Sequence, residues 1–307
     1  MMTEYFHRMG QALQNRIRGG FFGGGGVAAR GQSDMAGRAA GDGMADWGGW
    51  SPWVSYGRTS ADNELSSTRY DATQDNVLFG IDYTYSDRLI FGISGGYENN
   101  DVTTAFNLGE MEVEGLTVAP YAAYLLTDNV SVDVAFGYSD LSIDQFRTEP
   151  GGAIVRGDTD ASRWFVMSNL NANHQYRNWL FSGTAGVIYS EEDQDGFTET
   201  GGISSQTVAS RNIEYGQLTF GGEIAYVEKA VEPYASLHYQ YAFEDGDSTR
   251  LNPNQARRTD DDDEFRLATG LRFFANNGVS GVIEYNTILG RDHYDSHGIN
   301  LIGRYQF

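Results

Sequence analysis

The chain has 307 residues, among them 39 Gly, 19 Tyr and 17 Phe but only 5 Pro, an enrichment that suits many long strands rather than helices. A formal net charge of −21 argues against a nucleic-acid surface, and the complete lack of cysteine excludes disulfide frameworks, thiolate metal sites and thiol catalysis. Apolar runs such as 121–126 fall far short of the ~18–20 residues of a helical span, so a membrane protein of this composition has to cross as a closed β-barrel.

Residues 1–18 are the one helical candidate. Phe6, Met9, Leu13 and Ile17 recur at roughly helical spacing and give a narrow apolar stripe. Gly19 and Gly20 stop it. Residues 19–49 are rich in Gly and Ala and too poor in large apolar side chains to build a core, which is the composition of a linker. Residues 21–29 are too short and glycine-rich for the apolar region of a signal peptide. A barrel that must be exported is therefore expected to be the C-terminal piece of a longer precursor, or to have lost its export signal.

From residue 50 to residue 307 the texture is that of strands. Segments alternate near 52–58, 77–85, 89–97, 113–126, 130–138, 164–176, 179–189, 214–227, 231–243, 265–274, 279–289 and 299–307. In 130–138, for example, Val130, Val132, Val134, Phe136 and Tyr138 oppose Ser131, Asp133, Ala135 and Gly137, the period-2 pattern of a strand with one apolar face. The last strand puts Ile299, Leu301, Tyr305 and Phe307 opposite Asn300, Arg304 and Gln306. It stops on an aromatic residue where most soluble domains fray. A barrel explains that, because its last strand must pair with its first.

The connections alternate too. Tight turns at 86–88, 127–129, 177–178, 228–230 and 276–278 are built from turn-forming residues. Between them lie long polar stretches at 59–74, 99–110, 147–162, 191–211 and 245–263, with a shorter one at 290–296. Short turns on one rim and long connections on the other are the arrangement of a bacterial outer-membrane barrel. A soluble β-sandwich has no reason to sort its loops this way, and an inward face of Gly, Ser, Asp and Asn makes a poor dry core. The expected fold is an all-β transmembrane barrel of about 12 antiparallel strands, closed, with an N-terminal α-helix in the lumen.

The helix at residues 5–18, the aromatic first strand around Trp50 and Trp53, the count of about twelve strands and the terminal Tyr305-Gln306-Phe307 together resemble the C-terminal translocator domain of autotransporters, the type V secretion proteins. The long Gly-rich linker departs from that pattern. The resemblance implies an outer-membrane anchor that exports and displays an upstream passenger polypeptide, with a barrel-assembly machinery reading Tyr305 and Phe307. It implies as partners that passenger, outer-membrane lipid and lipopolysaccharide, and as state a monomer with both barrel termini on the periplasmic side. It also implies a helix inside the pore. The residues agree: a helix is ~10–12 Å across, about the lumen of a barrel of this strand number. Helix arginines Arg8, Arg16 and Arg18 are expected to pair with Asp82, Asp133, Glu223 and Glu284, which parity turns into the lumen.

Catalytic and metal readings are weaker. Gly92-Ile93-Ser94-Gly95-Gly96 matches a nucleophile elbow but lies mid-strand, where the motif needs a strand-to-helix turn. Ser296 has opposite strand parity to His293 and His297, and those two histidines would lie ~13 Å apart. The acidic stretch 191–196 fails as a calcium loop because its twelfth position is Gly202; the acidic run 260–264 suits a solvated loop, with weak contact to divalent cations or lipopolysaccharide. The resemblance also implies, from self-cleavage at a helix asparagine in some autotransporters, Asn15 as the one candidate residue for in-barrel cleavage. No catalytic, cofactor or metal residue is assigned, and the chain is expected not to be an enzyme. A stand-alone small channel or adhesin-like barrel is the second reading, and an outer-membrane hydrolase the third.

Overall fold

The computed structural model describes residues 7–11, 49–64, 69–203, 206–228, 230–245, 262–275 and 278–305. A short helix, α1 (residues 7–11), precedes fourteen strands: β1 (Trp50–Asn63), β2 (Tyr70–Ser86), β3 (Leu89–Thr104), β4 (Gly109–Thr127), β5 (Val130–Thr148), β6 (Ile154–Tyr176), β7 (Trp179–Gln194), β8 (Phe197–Thr198), β9 (Thr207–Val208), β10 (Arg211–Tyr226), β11 (Val231–Asp245), β12 (Asp263–Phe274), β13 (Val279–Leu289) and β14 (Tyr294–Tyr305). All but β8 and β9 form one closed antiparallel barrel of twelve strands, each beside its chain neighbours, with β7 joined to β10. β14 closes on β1 with Trp53 opposite Arg304, so the barrel begins and ends on one rim, the rim of the tight turns.

Period 2 decides which way each side chain points. In β5, Ser131, Asp133 and Ala135 are buried within the lumen, whereas Val134, Phe136 and Tyr138 stand about half exposed on the outer wall. In β14, Asn300 is buried and Ile299 and Leu301 are exposed. An outer wall of Val, Ile, Leu, Phe and Tyr around a polar interior is inside-out for water and correct for lipid. Aromatic pairs mark its borders. Trp50–Tyr83 and Trp179–Tyr226, each with centroids 5.0 Å apart, lie near the tight-turn rim, while Trp164–Tyr189 at 5.6 Å and Tyr239–Phe265 at 5.4 Å lie towards the other. From Trp179 to Tyr189 along β7 is about 33 Å, or about 25 Å along the axis at a tilt near 40°, the height of an outer-membrane apolar band. The barrel spans a membrane.

Several of the polar connections are largely strand among the described residues. β3 runs to Thr104 and β4 starts at Gly109, leaving a turn at 105–108 in place of the expected loop at 99–110. Likewise β5 runs to Thr148 and β6 starts at Ile154, well inside the stretch 147–162. Beyond the aromatic border both barrel faces meet water, so the apolar signal vanishes while the ladder continues. The outward residues of β4 show the change, from Leu116 and Val118 to Glu114, Glu112 and Glu110. The stretch 191–211 folds back as the β8–β9 ribbon, held to β6 by a bridge from Thr200 to Arg156. Arg147 grips Glu199 there with bonds of 2.9 and 2.7 Å.

Of the expected helix at 1–18, residues 7–11 are described and helical. The rest, with Arg16, Arg18 and Asn15, and the linker up to residue 48 lie outside the described residues.

Candidate functional site

The lumen is where the chain concentrates its buried polar groups. α1 sits inside it, with Arg8 and Met9 almost fully buried. Met9 enters an apolar patch made by Trp53, Leu78, Tyr121, Phe165, Met167 and Ile188, inward-facing residues contributed by β1, β2, β4, β6 and β7. Trp53 donates to the Tyr121 hydroxyl at 2.9 Å and Tyr121 donates to Asp82 at 3.2 Å, so these rings carry satisfied polar ends.

Polar bonds fix α1 on either side of Met9. The Arg8 guanidinium donates to the Thr59 hydroxyl and lies flat on Gly57, where a Cβ would coincide with it. Glycine at 57 is therefore required by close approach to a side chain. The Gln11 amide donates to Glu284 and accepts from Asn300 at 2.7 Å. Glu284 also accepts from Tyr234 at 2.7 Å, and Ser55 donates to Asn300 at 3.0 Å. Through this chain of bonds α1 is tied to β1, β11, β13 and β14.

The remaining charges are matched within the wall. Arg272 reaches Glu223 through two bonds of 2.9 and 2.7 Å and Glu232 at 2.8 Å, and its guanidinium lies 3.8 Å over the Tyr234 ring. Arg163 bridges Glu192 and Glu98, each at 3.1 Å. Forked guanidinium–carboxylate pairs of this kind rigidify a narrow lumen. Between α1 and the wall of β6, β7, β10 and β11 remains a polar cavity of about 110 Å³, bordered by His7, Asn171, Gln217, Glu223, His238 and Arg272.

A twelve-stranded barrel with a segment of its own upstream chain bound in the lumen matches a known family. The family profile for the Autotransporter beta-domain covers residues 53–286. The chain belongs to the autotransporter β-domain family. The fold of this autotransporter β-domain is similar to three solved translocators. The translocator domain of NalP from Neisseria meningitidis has a TM-score of 0.74 at 14% identity, covering 87% of this chain and 91% of that one. The β-domain of the Bordetella autotransporter BrkA has a TM-score of 0.65 at 19% identity, covering 83% and 98%. The transport unit of AIDA-I from Escherichia coli has a TM-score of 0.58 at 12% identity, covering 86% and 94%. No curated protein sequence matches the chain.

Within this autotransporter β-domain the residues singled out from sequence fall as follows. Asp82, Asp133, Glu223 and Glu284 all point inward, with Asp82, Asp133 and Glu284 buried. Among the described residues they have the following partners. Asp133 accepts from Asn169 at 2.7 Å and Asn171 at 2.8 Å, and Glu284 is held by Gln11 and Tyr234. Glu223 belongs to Arg272, and Asp82 lies 3.6 Å from Arg304. Tyr305 faces outward and pairs in register with Val279; Phe307 lies outside the described residues.

The alternative chemistries are not assembled. Ser94 sits mid-strand in β3 and donates to the Ala119 carbonyl at 3.1 Å. Ser296 is buried in the lumen while His297 stacks on Tyr285 outside, its ring nitrogen 2.7 Å from the tyrosine hydroxyl. His293 occupies a turn at φ 62°. Glu191 and Asp193 accept from Asn212 at 2.6 and 2.8 Å, and Glu264 lies 3.2 Å from Arg291. Among the described residues no group of His, Asp or Glu is arranged to hold a metal. Sequence reasoning missed Gln11, Gly57, Trp53 and Tyr121. Strand parity alone turns Trp53 and Gly57 inward, and that signal was available.

Proposed function

We propose that the chain is the outer-membrane translocator and anchor of a longer polypeptide, whose upstream passenger crosses through this barrel and is displayed at the cell surface. One observation carries the reading. α1 is bound within the lumen by Arg8, Met9 and Gln11, so any polypeptide joined before it has to leave by way of the pore. The rim where β1 starts and β14 ends faces the periplasm in this reading, and the acidic strand extensions face outward. The barrel acts by geometry and is not an enzyme. It works as a monomer in contact with lipid and lipopolysaccharide, and a barrel-assembly machinery recognises Tyr305 and Phe307. The test is a chain with a signal peptide and an epitope-tagged segment fused before Met1. Protease added to intact cells should remove the tag and leave the barrel; a tag that stays protected refutes the reading.

The polar cavity beside α1 favours a second reading, a small passive channel. Deleting residues 1–20 separates the two in planar bilayers. A plugged translocator should gain single-channel conductance, whereas a channel whose path already runs beside α1 should not.

A further inference from the structure

The lumen contains a group of polar side chains that the seating of α1 does not use. Gln74 and Asn76 on β2, Asn100 on β3 and Ser296 on β14 are each at most 3% exposed. Among the described residues, both amide atoms of Gln74 and of Asn76, the carbonyl oxygen of Asn100 and the hydroxyl of Ser296 have no hydrogen-bond partner. Gln74, Asn76 and Asn100 adjoin one another on β2 and β3, and Ser296 stands across β1 from them. Gln74 is the register partner of both Thr59 and Asn100, Asn76 pairs with Gly57, and Ser296 pairs with Ala61 on β1. The patch therefore borders the seat of Arg8 on Gly57 and Thr59. It lies further from the tight-turn rim than Leu78 of the Met9 pocket, because β2 runs towards that rim.

A buried amide without a protein partner favours a ligand that can supply its hydrogen bonds, and this patch holds several such groups close together. Its spacing suits one kind of ligand. Residues two apart on a strand stand about 6.7 Å apart on the same face. Backbone amides on one side of any extended chain repeat at the same distance. Gln74 and Asn76 each offer a donor and an acceptor, so both can bond the N–H and C=O groups of an extended strand lying along β2. Asn100 and Ser296 flank the track. Neutral amides and a hydroxyl neither attract nor repel charged side chains, so such a track would hold a backbone whatever its sequence.

We propose that Gln74, Asn76, Asn100 and Ser296 form a track that hydrogen-bonds the backbone of an extended polypeptide passing through the lumen. This rests on the translocator reading, which supplies a polypeptide between Arg8 and the rim opposite the chain ends. The ligand class is an extended polypeptide backbone, recognised by its repeat and not by its side chains.

The test uses the purified full chain carrying a twenty-residue Gly-Ser segment before Met1, and a second chain carrying an unrelated Thr- and Asn-rich segment. Hydrogen exchange is followed by mass spectrometry in the parent and in the triple variant Gln74→Leu, Asn76→Leu, Asn100→Leu, which approximates the branched shape of the asparagines and removes the hydrogen bonds. A few amides of each segment should exchange about tenfold more slowly in the parent than in the variant, as expected for two net bonds. The amides of residues 7–11 should be equally protected in both, which reports that the barrel and α1 are intact. The double variant Gln74→Glu, Asn76→Asp provides a second measurement; it keeps the acceptors, loses the donors and should restore part of the protection. Equal exchange of the fused segment in parent and leucine variant overturns the track, as does protection in one segment only. Surface exposure of the same segments is scored separately in cells. Protection without exposure would refute the translocator reading and leave the contact standing.

Discussion

Gly57→Ala should unseat α1, and the outcome can be bounded beforehand. A methyl group at this position coincides with the buried Arg8 guanidinium, so the guanidinium has to move. If Arg8 withdraws, its bond to Thr59 is lost, at about 1.5–3 kcal/mol for a charged hydrogen bond. Lifting Met9 from its pocket costs about a further 2 kcal/mol. With 1.4 kcal/mol per tenfold, the seated population should fall by a factor of roughly 300 to 4,000. The same methyl without Arg8 should do no harm, since Ala in a strand is favoured over Gly by roughly 0.5–1 kcal/mol. The decisive assay is therefore a double-mutant cycle read as single-channel conductance of the full chain. Gly57→Ala should raise the open fraction, Arg8→Ala should raise it, and adding Gly57→Ala to Arg8→Ala should change nothing more. Equal effects of Gly57→Ala with and without Arg8 would refute the reasoning, because the glycine would then act on the wall and not on the helix.

Three further outcomes follow from the same geometry. Arg272→Leu removes the cation that lies 2.8 Å from buried Glu232 and should cost about 3–5 kcal/mol, seen as a lower urea midpoint in detergent; an unchanged midpoint would mean that this carboxylate finds another partner. At the outer rim, the Arg147 guanidinium holds the Glu199 carboxyl below its ordinary value. The stabilisation of the β8–β9 ribbon is then fully present above the usual glutamate range of about 4.3 and fades as pH falls through the lower folded value. Cleavage near Ile203, which is 95% exposed, by an acid-active protease should rise over that acidic window, and Glu199→Gln should raise cleavage there by a protease active at neutral pH. Deleting Phe307 should reduce assembled barrel in the outer membrane more than deleting residues 105–108 does; equal levels would refute a role for the terminal aromatic in assembly.

The barrel was legible in the sequence because its determinants are local. Alternation at period 2 assigns each residue a face wherever one face meets lipid and the other does not, as in β5 and β14. Alternating turn lengths gave strand order and closure. The same signal faded where lipid ends: β3, β4, β5 and β6 continue through stretches that read as loops, because water on both sides removes the contrast while backbone bonds persist.

What the sequence determined by itself was the class, the approximate strand count, and the inward face that includes Asp82, Asp133, Glu223 and Glu284. Only the tertiary structure decided who meets whom inside. Parity sets direction, but partners across a closed wall depend on register, tilt and closure, which are set jointly by all twelve strands. Hence Glu284 meets Gln11 and not an arginine of the helix, Arg8 settles on a glycine, and the amides of Gln74 and Asn76 end side by side with their hydrogen bonds unused.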